Sequence, residues 1–273
     1  MPLCNLLVHL DSSERSSARL NLAAGIARVQ GAKLTGLFAQ ITPPHQVGLV
    51  AEWPPLDYAE AAAASRAAFA AATAGLEAEW QDLNRGEEGE VVKLTTDFAR
   101  HFDLIVLGQR RSDDPLTPPD FAEQLIINAG RPVLVIPFAG TFGQVGTRPV
   151  FAWSDSRSSA RGFYDGMMLI PPGAAALVVG LSKPEDAQGF AYQKESLRLA
   201  VGQLAAHKIS ALPEQLALSE IGLMDALLNR AADHGADLLA IGAFGGGGYP
   251  LFSRGSGSRY MLKHMTLPVL FSH

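Results

Sequence analysis

The chain contains a single cysteine, Cys4. One cysteine excludes an intrachain disulfide and fits a reducing compartment, so a cytoplasmic location is expected. Long apolar runs are missing as well. A membrane-spanning helix needs roughly 20 apolar residues. The closest approach, Ala59–Ala78, is interrupted by Glu60, Arg66 and Glu77 and reads as an ordinary surface helix. No basic segment precedes an apolar stretch near Met1, so no secretory leader is expected. Positive charge is in deficit: 22 Lys and Arg stand against 27 Asp and Glu, a net charge of −5. No basic field is therefore available to hold nucleic acid or an anionic membrane. The seven histidines form no H-x-x-x-H pair and no Cys/His cluster, and no metal site is expected, His9 and Asp11 having no third ligand spaced to join them. What is present is 273 residues, 48% hydrophobic, enough for two domains of about 130 residues each.

The chain repeats itself. Phe102-Asp-Leu-Ile-Val-Leu-Gly108 matches Ala236-Asp-Leu-Leu-Ala-Ile-Gly242, and Arg131-Pro-Val-Leu-Val-Ile136 matches Leu267-Pro-Val-Leu-Phe-Ser272. The pentapeptide Arg-Ser-Ser-Ala-Arg stands near the start of each half, as Arg15–Arg19 and Arg157–Arg161. Three matches in the same order indicate a tandem duplication. The expected domains are 1–140 and 148–273, joined through the Gly-containing stretch Gly140–Thr147.

Each half alternates strand-like and helix-like segments. The first reads as strand Asn5–Leu10, helix Ser13–Gln30, strand Lys33–Phe38, a Pro-rich loop from Pro43 to Pro55, and an Ala-rich helix ending near Trp80. A third strand is expected at Glu90–Leu94, helix at Thr96–Arg100, and strands at Leu104–Leu107 and Val133–Ile136. The second half reads as strands Val150–Trp153, Ala176–Gly180, Leu216–Leu218, Leu238–Ile241 and Val269–Phe271, alternating with helices Ser156–Met168, Tyr192–Lys208, Glu220–His234 and Ser256–Met265. Such alternation predicts two doubly wound α/β domains with parallel sheets, any ligand lying outside the carboxyl ends of the strands.

The richest segment is Gly242 to Ser256. Gly242-Ala-Phe-Gly245 is followed by nine residues and then Gly255-Ser256, directly after an apolar strand. Spaced glycines let backbone N–H groups approach an anion, and the helix opening at Ser256 adds unpaired donors and a favourable dipole end. Arg254 and Arg259 flank this cradle; Gly246, Gly247 and Gly248 add backbone freedom that ordering must remove.

These residues resemble the universal stress protein family in its tandem two-domain form. The resemblance rests on the loop G-x-x-G, nine residues, then G-S or G-T, and on the closing segment Met261–His273. It implies two five-stranded parallel sheets of order 3-2-1-4-5 and pairing through the last strand, giving a pseudo-dimer within the chain or a homodimer. It also implies an adenine nucleotide, ATP or another, with or without Mg²⁺. The implied site is Gly242, Gly245, Gly255 and Ser256 with Gly257 and Ser258 at the phosphates, and Trp153 with Ser154 or Asp155 at the ribose and adenine. The family's opening acid matches Asp11 in the first half, where Asp11-Ser12-Ser13 stands for D-G-S. In the second half it falls on Ser154, unless a one-residue gap brings Asp155 into register. In the first half the loop is lost: Gly108-Gln-Arg-Arg111 runs into Ser112–Pro119, whose prolines lack N–H donors and whose Asp113 and Asp114 repel phosphate.

The expected function is a stress-response regulatory module that binds nucleotide in its second domain and engages a regulatory protein, with no catalytic residue and no chemical step. No P-loop pattern is present, and no general base is placed for phosphoryl transfer. Two rivals share the fold: a slow nucleotide hydrolase at the same site, and a nucleotide-free dimeric scaffold.

Overall fold

Uninterrupted apolar strands need helices on both faces, and both halves of the chain satisfy that need in the same way. A computed structural model describes residues 3–43, 45–47, 50–83, 85–182, 187–217, 222–245 and 255–273. It divides into two compact units, Met1–Gly143 and Gln144–His273. Among the described residues no helix is long and apolar enough to cross a membrane.

In unit 1, β1 (Asn5–Leu10) is central and pairs in parallel with β2 (Lys33–Phe38) on one side and β6 (Leu104–Gly108) on the other. β5 (Ala78–Asp82) extends the sheet beyond β2, and β7 (Val133–Ile136) beyond β6. The order is 3-2-1-4-5 when strands of this sheet alone are counted. The helices are α1 (Ser16–Gln30), α2 (Leu56–Ala72), α3 (Glu88–Ala99) and α4 (Phe121–Asn128). A small antiparallel hairpin, β3 (His45–Val47) with β4 (Val50–Glu52), lies in the segment read as a Pro-rich loop; three-residue strands are too short to show a period.

Unit 2 repeats the plan with β8 (Pro149–Trp153), α5 (Arg157–Met167), β9 (Ala175–Ser182), α6 (Ala187–Ala206), β10 (Ser210–Ala217), α7 (Leu223–His234), β11 (Leu238–Gly242), α8 (Ser256–His264) and β12 (Val269–Ser272). Its sheet order is β10-β9-β8-β11-β12, again 3-2-1-4-5 and parallel throughout. In both units the connections change direction between the first and fourth strands, which opens a crevice at their carboxyl ends.

Two expected elements are corrected. Glu90–Leu94 is not a strand but part of α3. Its buried residues Val91, Thr95, Thr96 and Ala99 fall on one helical face, a period that only the longer window reveals. The third strand is instead Ala78–Asp82, and the Ala-rich helix ends at Ala72. This edge strand is largely exposed, and its short alternation, Ala78 and Trp80 against Glu79 and Gln81, follows directly on the Ala-rich helical run that conceals it. Pairing with β2 and packing of Trp80 against Phe38, ring centroids 6.2 Å apart, hold it in place.

The pentapeptide repeat is also out of structural register. Leu6 pairs with Leu104, and Pro149 pairs with Leu238. Since Leu104 and Leu238 each follow the repeated aspartate, Leu6 corresponds to Pro149 and therefore Asp11 to Ser154. Hydrogen bonds agree: Asp11 N–H donates to Ser16 Oγ at 3.2 Å, and Ser154 N–H donates to Ser159 Oγ at 3.1 Å. Arg15 thus corresponds to Ser158, and Arg19 to Gly162.

Candidate functional site

The crevice of unit 2 is bounded by the turn after β8 and the turn after β11. Gly242 closes β11 against α5, where a Cβ would collide with the backbone of Ser158 and Ser159. Gly162 returns the contact, since its Cβ would lie 2.6 Å from Ile241 C. At Gly245 a Cβ would strike Ser158 Oγ. These two loop glycines therefore bring the N-terminus of α5 up to the end of β11. Gly255 has a different reason: its φ of 83° is left-handed, and a Cβ would sit 2.6 Å from the Phe244 ring.

Serine hydroxyls line this junction. Ser154, Ser156 and Ser158 form a row with Oγ separations of 3.1 and 3.4 Å. Ser156 caps α5 by accepting the Ser159 N–H at 3.2 Å. Across the crevice, Ser258 Oγ accepts the Phe244 N–H at 2.9 Å and braces the loop to α8. Ser256 differs: its Oγ is buried and has no hydrogen-bond partner among the described residues. It lies in the first turn of α8, whose N–H groups have no acceptor within the helix. Gly257 packs beside Met224 of α7. The Arg259 guanidinium lies 5.8 Å from the Phe244 ring centroid. Arg254, Gly246, Gly247 and Gly248 lie outside the described residues.

Trp153, Ser154 and Asp155 all border the crevice, but they do different things. The Trp153 indole N–H donates to Ser196 Oγ at 2.7 Å and the ring meets Phe163 edge-on, so the side chain packs against α5 and α6. Ser154 occupies the place of Asp11, which settles the register: no gap brings Asp155 there. Asp155 is exposed, with φ 48°, and its carboxylate accepts the Tyr192 hydroxyl at 2.6 Å. That bond favours the neutral phenol and raises the Tyr192 pKa. Among the described residues three non-glycine residues have left-handed backbone, and two of them, Asp155 and Phe244, flank this crevice. Strained backbone of this kind concentrates at ligand sites. Sequence reasoning found Ser154 but missed Ser156, Ser158 and Phe244; hydroxyls at every second position from Ser154 to Ser158 were the available signal.

In unit 1 the matching crevice is filled differently. Asp11 Oδ1 accepts from the Ser13 N–H at 2.9 Å and from the Ser13 hydroxyl, while Oδ2 accepts from Arg19 Nη2 at 2.9 Å. Burial by itself would raise this carboxyl; the Arg19 guanidinium, His9 and the Ser13 donors outweigh it and hold the group well below the usual carboxylate range. His9 is buried, its Nε2–H directed at the Ala39 carbonyl at 2.7 Å. Burial, and then Arg19, lower its pKa to about 4, so the ring is neutral at physiological pH. The loop after β6 closes on itself: Arg110 donates to the Thr117 and Asp114 carbonyls, both at 2.9 Å, and Arg111 forks onto Asp113.

Two five-stranded parallel sheets of order 3-2-1-4-5, each with a crevice at its switch point, define a tandem doubly wound α/β protein. No family model matches the sequence, and no curated protein matches it. Solved structures do. A universal stress protein from Archaeoglobus fulgidus is similar at a TM-score of 0.71 and 17% identity, over 98% of this chain and 97% of that chain. A functionally unknown protein from Pseudomonas aeruginosa is similar at 0.61 and 16% identity, over 99% of this chain and 92% of that one. The chain has the universal stress protein fold in its tandem, two-domain form.

Proposed function

We propose that the chain is a cytoplasmic tandem universal stress protein whose unit 2 binds an adenine nucleotide and whose unit 1 is a non-nucleotide copy. Ser256 carries this reading. A buried hydroxyl without a partner among the described residues, in the first turn of a helix and beside a left-handed glycine, is costly unless something accepts from it or donates to it. A phosphate oxygen meets that need and takes the first-turn N–H groups and the helix dipole as well. Gly242, Gly245, Gly255, Gly257 and Ser258 shape this cradle, and Ser154 with Asp155 and the Trp153 backbone face the ribose and base. The bound nucleotide acts as a ligand that shifts a conformational equilibrium in a stress-response module, with a regulatory protein as the reader.

Calorimetric titration of the full chain with ATP and Mg²⁺ tests this. One site per chain is expected, weakened about tenfold in Ser256→Ala and lost in Ser256→Asp, which sets a carboxylate where the phosphate belongs. Absence of heat with ATP, ADP and AMP alike overturns the reading, as does ATP binding that Ser256→Asp leaves unchanged.

A further inference from the structure

Unit 1 retains a cavity of about 340 Å³ at the carboxyl ends of β1, β6 and β7. Its size is that of a small-ligand pocket. Arg19 lines it while being only 4% exposed. The guanidinium donates through Nε to the His9 carbonyl at 2.6 Å and through Nη2 to Asp11 and Ser16. Nη1 makes no hydrogen bond among the described residues, and it stands so close to Gly108 that a Cβ there would collide with it.

The fold does not require this arginine. Unit 2 makes the same crossing with Gly162, which lets α5 lie directly on β11. In unit 1 the Arg19 guanidinium occupies that crossing instead, standing against Gly108 at the edge of the cavity. One helical turn before it, Arg15 reaches the carbonyls of Pro137 and Gly140, at 3.3 and 2.7 Å, and no carboxylate among the described residues. Two guanidinium groups at i and i+4 therefore project into one cavity with donor capacity to spare.

The charge balance limits what fits. Four arginines and four carboxylates line the cavity, so their formal charges cancel. A polyanion gains nothing from such a lining, and Glu14, Asp113 and Asp114 oppose it. A single negative charge that accepts two or more N–H bonds fits better, and Leu116, Ile136 and Phe138 supply an apolar wall for the remainder of the ligand.

We propose that unit 1 binds a small monocarboxylate, its oxygens on Arg19 Nη1 and Arg15 and its carbon chain against Leu116, Ile136 and Phe138. The two units then carry different ligand chemistries on one fold. This inference is independent of nucleotide binding in unit 2.

The probe is butyrate, followed by saturation-transfer NMR and calorimetry on the full chain. Wild type is expected to bind it at one site. Arg15→Gln is expected to weaken it about tenfold, and Leu116→Trp, which fills the cavity, to abolish it. Both variants leave the Asp11–Arg19 pair intact, and matching thermal melts verify folding. The proposal fails if butyrate gives no transfer at about 10 mM, a weak-site concentration. It fails equally if both variants bind as wild type does, or if inorganic phosphate or AMP binds this site more tightly than butyrate.

Discussion

Asp237 accepts the Thr147 N–H at 2.8 Å, and with Gly146 and Arg148 it gathers three successive backbone donors just ahead of β8. Asp103, its repeat partner, does the same for Cys4 and Asn5 at the start of β1, at 2.8 and 2.9 Å. The duplicated aspartate is thus a splice between the first and fourth strands of each unit. Replacing Asp237 with Ala leaves these donors to water or to nothing, and a loss of about 2 kcal/mol is expected, discounted for partial exposure. Denaturant unfolding followed by circular dichroism measures it, and an unchanged midpoint refutes the splice.

The two strand-end glycines are expected to respond differently. In Gly242→Ala the new methyl meets backbone atoms of α5, which can move only with the helix, and a cost of about 2–3 kcal/mol follows. In Gly108→Ala it meets the tip of the Arg19 side chain, which can shift, so the cost is smaller. Equal destabilisation of the two variants contradicts this account.

His9 makes stability depend on pH. Its folded pKa, lowered to about 4 by burial and Arg19 against the opposing pull of Asp11 and Asp114, lies below the unfolded value of 6.5. Between those values the unfolded chain binds a proton that the folded chain does not. The contribution is full above about 6.5 and is lost as pH falls toward 4, by an amount on the order of 3 kcal/mol. His9→Gln keeps a donor for the Ala39 carbonyl but does not titrate. Stability measured across this window should fall less steeply in the variant than in wild type.

Ser258 braces Phe244 in its left-handed conformation. Removing the hydroxyl in Ser258→Ala unpairs the Phe244 N–H and loosens the loop before ligand arrives. Nucleotide affinity in unit 2 is expected to fall about fivefold, close to 1 kcal/mol, with global stability little changed. The same calorimetric titration reports it, and an affinity equal to wild type argues that Phe244 has no part in the site.

Much of this architecture is legible in the residues. Leu104–Gly108 and Leu238–Gly242 are apolar enough to be buried on both faces, and each is preceded by its aspartate. Other parts were hidden for identifiable reasons. Ala78–Asp82 has only Ala78 and Trp80 to mark it as a strand, at the end of an Ala-rich run, and pairing with β2 decides its conformation. Glu90–Leu94 imitates a strand over five residues and shows its helical period only over twelve.

The sequence by itself determined the duplication, the α/β alternation and the glycine spacing of the loop, because these are patterns of period and composition along the chain. Tertiary structure alone decided that Ser154, and not Asp155, stands where unit 1 has Asp11. It alone decided that Arg19 stands where unit 2 has Gly162 and lines a cavity. Both are matters of register between strands far apart in sequence, fixed by pairing across the sheet and by how closely a helix can approach it, and a one-residue shift in local similarity conceals them.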